Sequence, residues 1–207
     1  MGKDYVPKKI TKFLAVDLEL NQPSNTIIQI GACVGDIETG QVIDKISLIV
    51  NPHEQLGYCN GGDNDGKTIT DLTGITQQDV DNGLELLDAY DQFVEFAQKY
   101  DVFVNPLTWG GGDIEEIRQQ VLKKLESPRT IKWPFGRRWI DVKTLFVSWR
   151  FANNEPIKGG LARSMVKVGL AFQGRKHDAM DDAVNTFRIY AKLLEFLRNK
   201  NERVSNV

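Results

Sequence analysis

Apolar and polar positions follow two different periods along this chain. Residues 13–18 (FLAVDL) are a short apolar run broken by one acid, the mark of a buried strand. Turn residues follow at 21–25 (NQPSN). A β-branched run then spans 27–34 (IIQIGACV), closed by Glu38-Thr39-Gly40. Residues 41–50 alternate or run apolar again. Three strands so closely spaced, joined by short turns, predict an antiparallel meander. Residues 51–67 carry no such pattern and read as a loop. Asp63-Asn64-Asp65-Gly66 within it lacks the downstream glutamate of a calcium loop.

Beyond the loop the period becomes helical. Residues 84–100 place Leu84, Leu87, Tyr90, Phe93, Val94 and Ala97 on one face. Residues 113–125 do the same with Ile114, Ile117, Val121, Leu122 and Leu125, and residues 178–197 with Ala183, Phe187, Tyr190, Leu194 and Leu197. A shorter helix is expected over 161–168, and short buried strands at 101–104 and 139–142. Strands first, then helices alternating with strands, predict an α/β fold with a mixed five-stranded sheet flanked by helices.

Composition narrows this picture only slightly. A chain of 207 residues, 41% hydrophobic and 26% charged, suits one soluble globular domain. No apolar run approaches the roughly 18 residues of a membrane span. The polar, basic start (MGKDYVPKKITKF) has no apolar secretory core. Cys33 lies in an apolar run and Cys59 in a glycine-rich one, so a reducing, cytoplasmic setting is expected over a disulfide scaffold. The net charge of −2 lacks the basic balance of many nucleic-acid binders. Local pairs (Lys8 and Lys9, Lys123 and Lys124, Arg137 and Arg138, Arg175 and Lys176) offer positive charge for phosphates, though a solvated surface is the stronger expectation for any one pair.

The informative residues are acids in places where apolar residues belong. Asp17 and Glu19 are two apart in FLAVDLELN, so they share one face at the end of a buried strand. Burial sharpens their repulsion, and a proton or a cation would relieve it. A frayed, hydrated strand end is the plainer alternative. In Trp109-Gly110-Gly111-Gly112-Asp113 a strand runs out in glycines and a helix opens on an aspartate, which helix capping alone would explain. In His177-Asp178-Ala179-Met180-Asp181-Asp182 three acids crowd a helix start beside one of two histidines. Asp178 suits an N-cap there, and Asp182 lies nearer the core face. Asp and Glu oxygens with a single His suit Mg²⁺ or Mn²⁺ better than zinc, and such clusters host two-metal phosphoryl chemistry.

In these motifs the sequence resembles the DEDDh 3′→5′ exonucleases, which share a ribonuclease H-like fold. VDLEL resembles their Asp-x-Glu motif, and IIQIGA their second strand. ITDLTGIT (69–76) resembles a segment that recurs before the first long helix. WGGGD resembles the second motif, and His177 and Asp182 fit the third, His-x4-Asp. The tail KVGLAFQGRKHDAMDDAVNTFRIYAKLL and the segment WIDVKTLF are most similar to the group that trims histone-mRNA and small-RNA 3′ ends. Leu20 after the first motif and a long loop at 53–66 depart from the pattern.

The resemblance implies an exonuclease domain over 12–198, with an extension at 1–11 and a polar tail at 199–207. It implies removal of 5′-mononucleotides from single-stranded RNA or DNA 3′ ends, with two Mg²⁺ or Mn²⁺ ions. Asp17 would bridge the ions, Glu19 and Asp182 would complete the site nearest the attacking water, and Asp113 would hold the second ion. His177 would be the general base. Leu18, Leu20 and Asn21 are candidates to contact the terminal nucleotide, with core packing the alternative for the leucines. Trp109 and Phe172 could stack on bases, and core packing is the stronger expectation for both. His53 reads as a surface residue. A homodimer is left open. The rival readings are a catalytically inactive nucleic-acid-binding module and a proofreading subunit of a DNA polymerase.

Overall fold

The structure is a computed structural model that describes residues 9–60, 64–124, 133–156 and 159–205, with side chains as far as 199. Strands β1 (Lys12–Leu20), β2 (Ile27–Asp36) and β3 (Gln41–Ile49) form the antiparallel meander. β4 (Leu107–Thr108) and β5 (Ile140–Asp141) continue the sheet in parallel beyond β1, in the order β3-β2-β1-β4-β5. The expected mixed five-stranded sheet is therefore present, with β1 at its centre.

Between β3 and β4 lie two short helices, α1 (Ile69–Thr73) and α2 (Gln77–Asp81), and the longer α3 (Leu86–Gln98). The remaining helices are α4 (Asp113–Lys124), α5 (Val142–Ala152), α6 (Leu161–Lys167) and α7 (Ala179–Ser205). Side chains alternate across the sheet, and β1 shows what each face carries. Leu14, Val16 and Leu18 point into a core shared with Phe93 of α3 and Ile117 of α4. Phe13 and Ala15 point into a second core with Phe146 of α5, Met165 of α6 and Phe187 of α7. Asp17 and Glu19 continue this second row, beyond its last apolar residue.

α7 comes unusually close to the sheet because β2 has glycines where it passes. A Cβ on Gly31 would fall on the backbone of Ala179 and Met180, and one on Gly35 would fall in the ring of Phe187. The IIQIGACVGD sequence thus leaves a trough in which the helix lies.

Several elements differ from expectation. Residues 101–104 are not a strand. Phe103 donates one bond to the Lys12 carbonyl (2.8 Å), the chain bends, and Pro106, which has no N–H, precedes the true strand at Leu107. The apolar run at 139–142 is a two-residue strand that passes at once into α5, a helix that apolar patterning did not suggest. α7 continues to Ser205, past the end of its apolar face, because nothing in the following residues stops an established helix. Leu125, Lys8 and most of the expected N-terminal extension lie outside the described residues. Among the described residues no helix is long and apolar enough to cross a membrane.

Candidate active site

Three elements bring four acids together at the end of β1. Asp17 pairs in register with Gly31, and Glu19 with Gln29. Because Gly31 lets the start of α7 rest on the sheet, that helix's first turn arrives directly beside the two acids. Gln29 then locks it there. Its side-chain oxygen accepts from the Ala179 amide (3.0 Å), and its nitrogen donates to Asp178 Oδ2 (3.0 Å) and to Ser47 Oγ (3.0 Å).

The three acids of the α7 start divide their work. Asp178 caps the helix, its Oδ1 accepting from the Asp181 amide (3.0 Å). Asp181 braces the preceding turn by accepting from the Arg175 amide (2.7 Å). Asp182 is turned into the site. Its Oδ2 accepts from the His177 amide (3.3 Å), while its Oδ1 is buried without a hydrogen-bond partner. His177 sits in a left-handed backbone conformation (φ 59°), unusual for a side chain other than glycine, and this aims its N–H at Asp182.

Asp113 arrives from a third direction, at the start of α4. Gly110 (φ 95°) and Gly112 (φ 136°) adopt backbone angles that side chains resist, so the WGGGD turn can swing the helix start toward β1. Asp141 fixes this turn by accepting from the Gly110 amide (3.1 Å), while also capping α5 through the Thr144 amide (3.1 Å).

The electrostatics follow from crowding. Burial, then the charges of Asp113, Glu19, Asp182 and Asp178, hold the Asp17 carboxyl well above its usual range. Glu19, only 8% exposed, is pushed up to about 8 by burial and then by Asp182, Asp178 and Asp113. Burial lifts Asp182 to about 7, against the opposing bond from His177. Burial also lifts Asp113 to about 6, with Asp141 adding to it. His177 moves the other way. Burial, then Lys176, Lys67 and Arg175, lower it, so its ring is neutral near pH 7.

Glu19, His177 and Asp182 can each present one ligand atom within 4.8 Å of the others. His177 and Asp182 face an open cleft of about 700 Å³ that also meets Phe172 and Lys176. Asn64, Lys143, Leu161 and Arg163 also line it.

The other expected site residues lie elsewhere. Leu18 is buried in the opposite core, and Leu20 packs at that core's edge. Asn21 is 2% exposed. Its amide donates to Glu54 Oε1 (2.9 Å) and the Gln55 carbonyl (3.0 Å), and its oxygen accepts from the Gly57 amide (2.9 Å). Its side chain thus holds a loop. Trp109 packs against Phe146, as expected, whereas Phe172 both packs on the core and lines the cleft. His53 pairs with Glu85 at the surface (2.9 Å). Two residues that shape the site, Gln29 and Asp141, were not singled out from the sequence. Each is a polar residue inside an apolar strand, the signal that marked Asp17.

A family model described as exonuclease, RNase_T, matches residues 14–190. The chain belongs to that exonuclease family. It is 25% identical over 195 residues to ERI1 exoribonuclease 2 of Xenopus laevis, covering 81% of this chain and 25% of that protein. It is 27% identical over 188 residues to the 3′-5′ exonuclease Snipper of Drosophila melanogaster, covering 81% of this chain and 60% of that protein. The chain therefore spans between a quarter and three fifths of the length of these relatives. Its fold is similar to the nuclease domain of 3′hExo, a DEDDh family member bound to rAMP, with a TM-score of 0.67 at 20% identity over 92% of this chain and 94% of that one. It is also similar to S. pombe Pop2p in a Mg²⁺- and Mn²⁺-bound form, with a TM-score of 0.56 at 16% identity over 88% and 81% of the two chains.

Proposed function

We propose that this chain is a 3′→5′ exonuclease that removes 5′-mononucleotides from single-stranded RNA ends, and from DNA ends less readily, using Mg²⁺ or Mn²⁺. The observation that carries the reading is the convergence of Asp17, Glu19, Asp113 and Asp182 beside a neutral histidine. Left to themselves, the crowded carboxylates hold on to protons into the neutral range, Glu19 to about pH 8. Hard divalent cations answer that charge. The buried, unpartnered Oδ1 of Asp182 is an oxygen that lacks only such a partner. The residues present therefore fit the ions, and Asp17, Glu19, Asp113 and Asp182 would hold them.

When bound, the ions acidify an attacking water and offset charge on the scissile phosphate. The chain's own part is positional. A ring nitrogen of His177, kept unprotonated by burial and by neighbouring cations, takes the proton from the attacking water. The Asp182 carboxylate fixes the His177 backbone through the amide bond. Phe172 gives the cleft one apolar wall against which a base can rest. The preference for RNA is supported by the relative named as an exoribonuclease and by the rAMP bound to 3′hExo.

The test is degradation of a 5′-labelled single-stranded RNA and its DNA counterpart with Mg²⁺, with Mn²⁺ and with chelator. A ladder shortening from the 3′ end, absent with chelator and faster on RNA, is the expected result. Intact oligomers that migrate as complexes would establish the binding-module reading instead.

A further inference from the structure

The loop after β3 is the long one that departs from the family pattern, and the structure shows what it is fastened to. Asn21, two residues beyond Glu19, holds Glu54, Gln55 and Gly57. Gln22 holds the Asn60 amide through its side-chain oxygen (2.8 Å). Residues 58–60 and 64–68 then pair with each other as the two arms of a hairpin. The Cys59 amide donates to the Lys67 carbonyl (2.8 Å), the Gly66 amide to the Cys59 carbonyl (3.0 Å), and Tyr58 bridges to Thr68. Cys59 and Ile69 are buried together with Ile28 of β2, so the base of the hairpin is anchored in the core.

This hairpin reaches the cleft. Asn64 lines it together with His177 and Asp182. Lys67 is exposed, its Nζ donates to Asn64 Oδ1 (3.1 Å), and its charge is felt by His177. Lys143 and Arg163 line the same cleft. In the proposed reaction the acids and His177 act at the bond to be broken, whereas Lys67 is bonded to Asn64, which is not one of them, so its charge is available to a different phosphate. We propose that Lys67, steadied by Asn64, contacts a backbone phosphate of the single strand other than the one being cleaved, making residues 64–67 part of the strand-binding cleft. The inference rests on the exonuclease reading only for the direction in which the strand lies.

Binding tests it separately from cleavage. The full chain and its Lys67→Ala, Asn64→Ala and Lys67→Arg variants are titrated with a fluorescent single-stranded oligonucleotide in chelator, across a salt series. Loss of one phosphate contact on a single strand lowers the slope of log affinity against log salt by about 0.7. Lys67→Ala should show that drop, Asn64→Ala weaker affinity with the slope kept, and Lys67→Arg wild-type behaviour. In turnover, Lys67→Ala should raise KM for the oligonucleotide by a larger factor than it changes kcat. It should not alter KM for a nitrophenyl ester of a mononucleotide, which has no second phosphate. An unchanged salt slope in Lys67→Ala, or no binding by the wild type, overturns the proposal. A wild type that binds with the Lys67-dependent slope yet never cleaves upholds it and removes the exonuclease reading.

Discussion

Asp17 and Gly31 face each other across the β1–β2 ladder, and the place where Gly31 would carry a side chain is filled by the backbone of Ala179. One acid is thus brought near Asp182 by the absence of a methyl group on the neighbouring strand. Gly31→Ala should lower stability by about 1–3 kcal/mol, the usual cost of overpacking. It should also reduce nuclease activity more than that instability explains, because the displaced helix start takes Asp182 with it. Thermal melts and rates measured well below the melting temperature check both parts. A variant that is destabilised yet fully active would show that the helix approach does not set the site.

The crowded acids make a pH prediction for the metal-free protein. Glu19 at about 8, Asp182 at about 7 and Asp113 at about 6 are all raised above the values of an unfolded chain. The fold therefore prefers their protonated forms. Their contribution to stability is complete below about pH 4 and is lost as pH climbs through those three values. His177 is shifted downward, so it opposes this trend only at and below its ordinary 6.5. Asp44, held at about 2, changes outside the window. Melting temperature in chelator should fall as pH rises from mildly acidic to mildly basic, and Mn²⁺ should raise it most at the basic end. A flat or rising curve in chelator would contradict the crowding.

His177→Ala should lower turnover by about 10²–10⁴-fold, the range for losing a positioned general base. The stabilisation given by Mn²⁺ should survive, since the carboxylates remain. If the melting shift with Mn²⁺ disappears along with activity, His177 is a ligand and the base must be sought elsewhere.

The three acids at the α7 start should separate cleanly. Asp182→Asn should abolish both activity and the Mn²⁺-induced melting shift. Asp178→Ala should cost about 1 kcal/mol as a lost helix cap and keep the shift, and Asp181→Ala should likewise keep it. A dead Asp178→Ala variant that is well folded would reassign the site.

Much of this was legible because charge and apolarity disagreed in the sequence. Asp17 and Glu19 stand out in an apolar strand, and Asp113 and Asp182 stand at the starts of periodic helices. Asp182 was picked out by its place nearer the core face and by the His-x4-Asp spacing, but what holds Asp178 and Asp181 in place was not legible, because it depends on Gln29 and Gly174, which are distant in sequence or silent as patterns. α5 was hidden for a different reason. Its buried face includes Arg150, whose guanidinium lies over Phe146 and reaches Glu155 (3.1 Å), so a charged residue breaks the apolar stripe. α1 and α2 are too short for any period to appear. Their capping boxes at Thr68 with Asp71 and Thr76 with Asp79 are local signals that would have revealed them.

The distance along the chain between Asp17 and Asp182 has a consequence for synthesis. Neither β1 nor α4 makes the proposed cation site without α7, and α7 leaves the ribosome after them. In a growing chain the separate parts of the proposed site therefore meet only when α7 settles into its trough on β2.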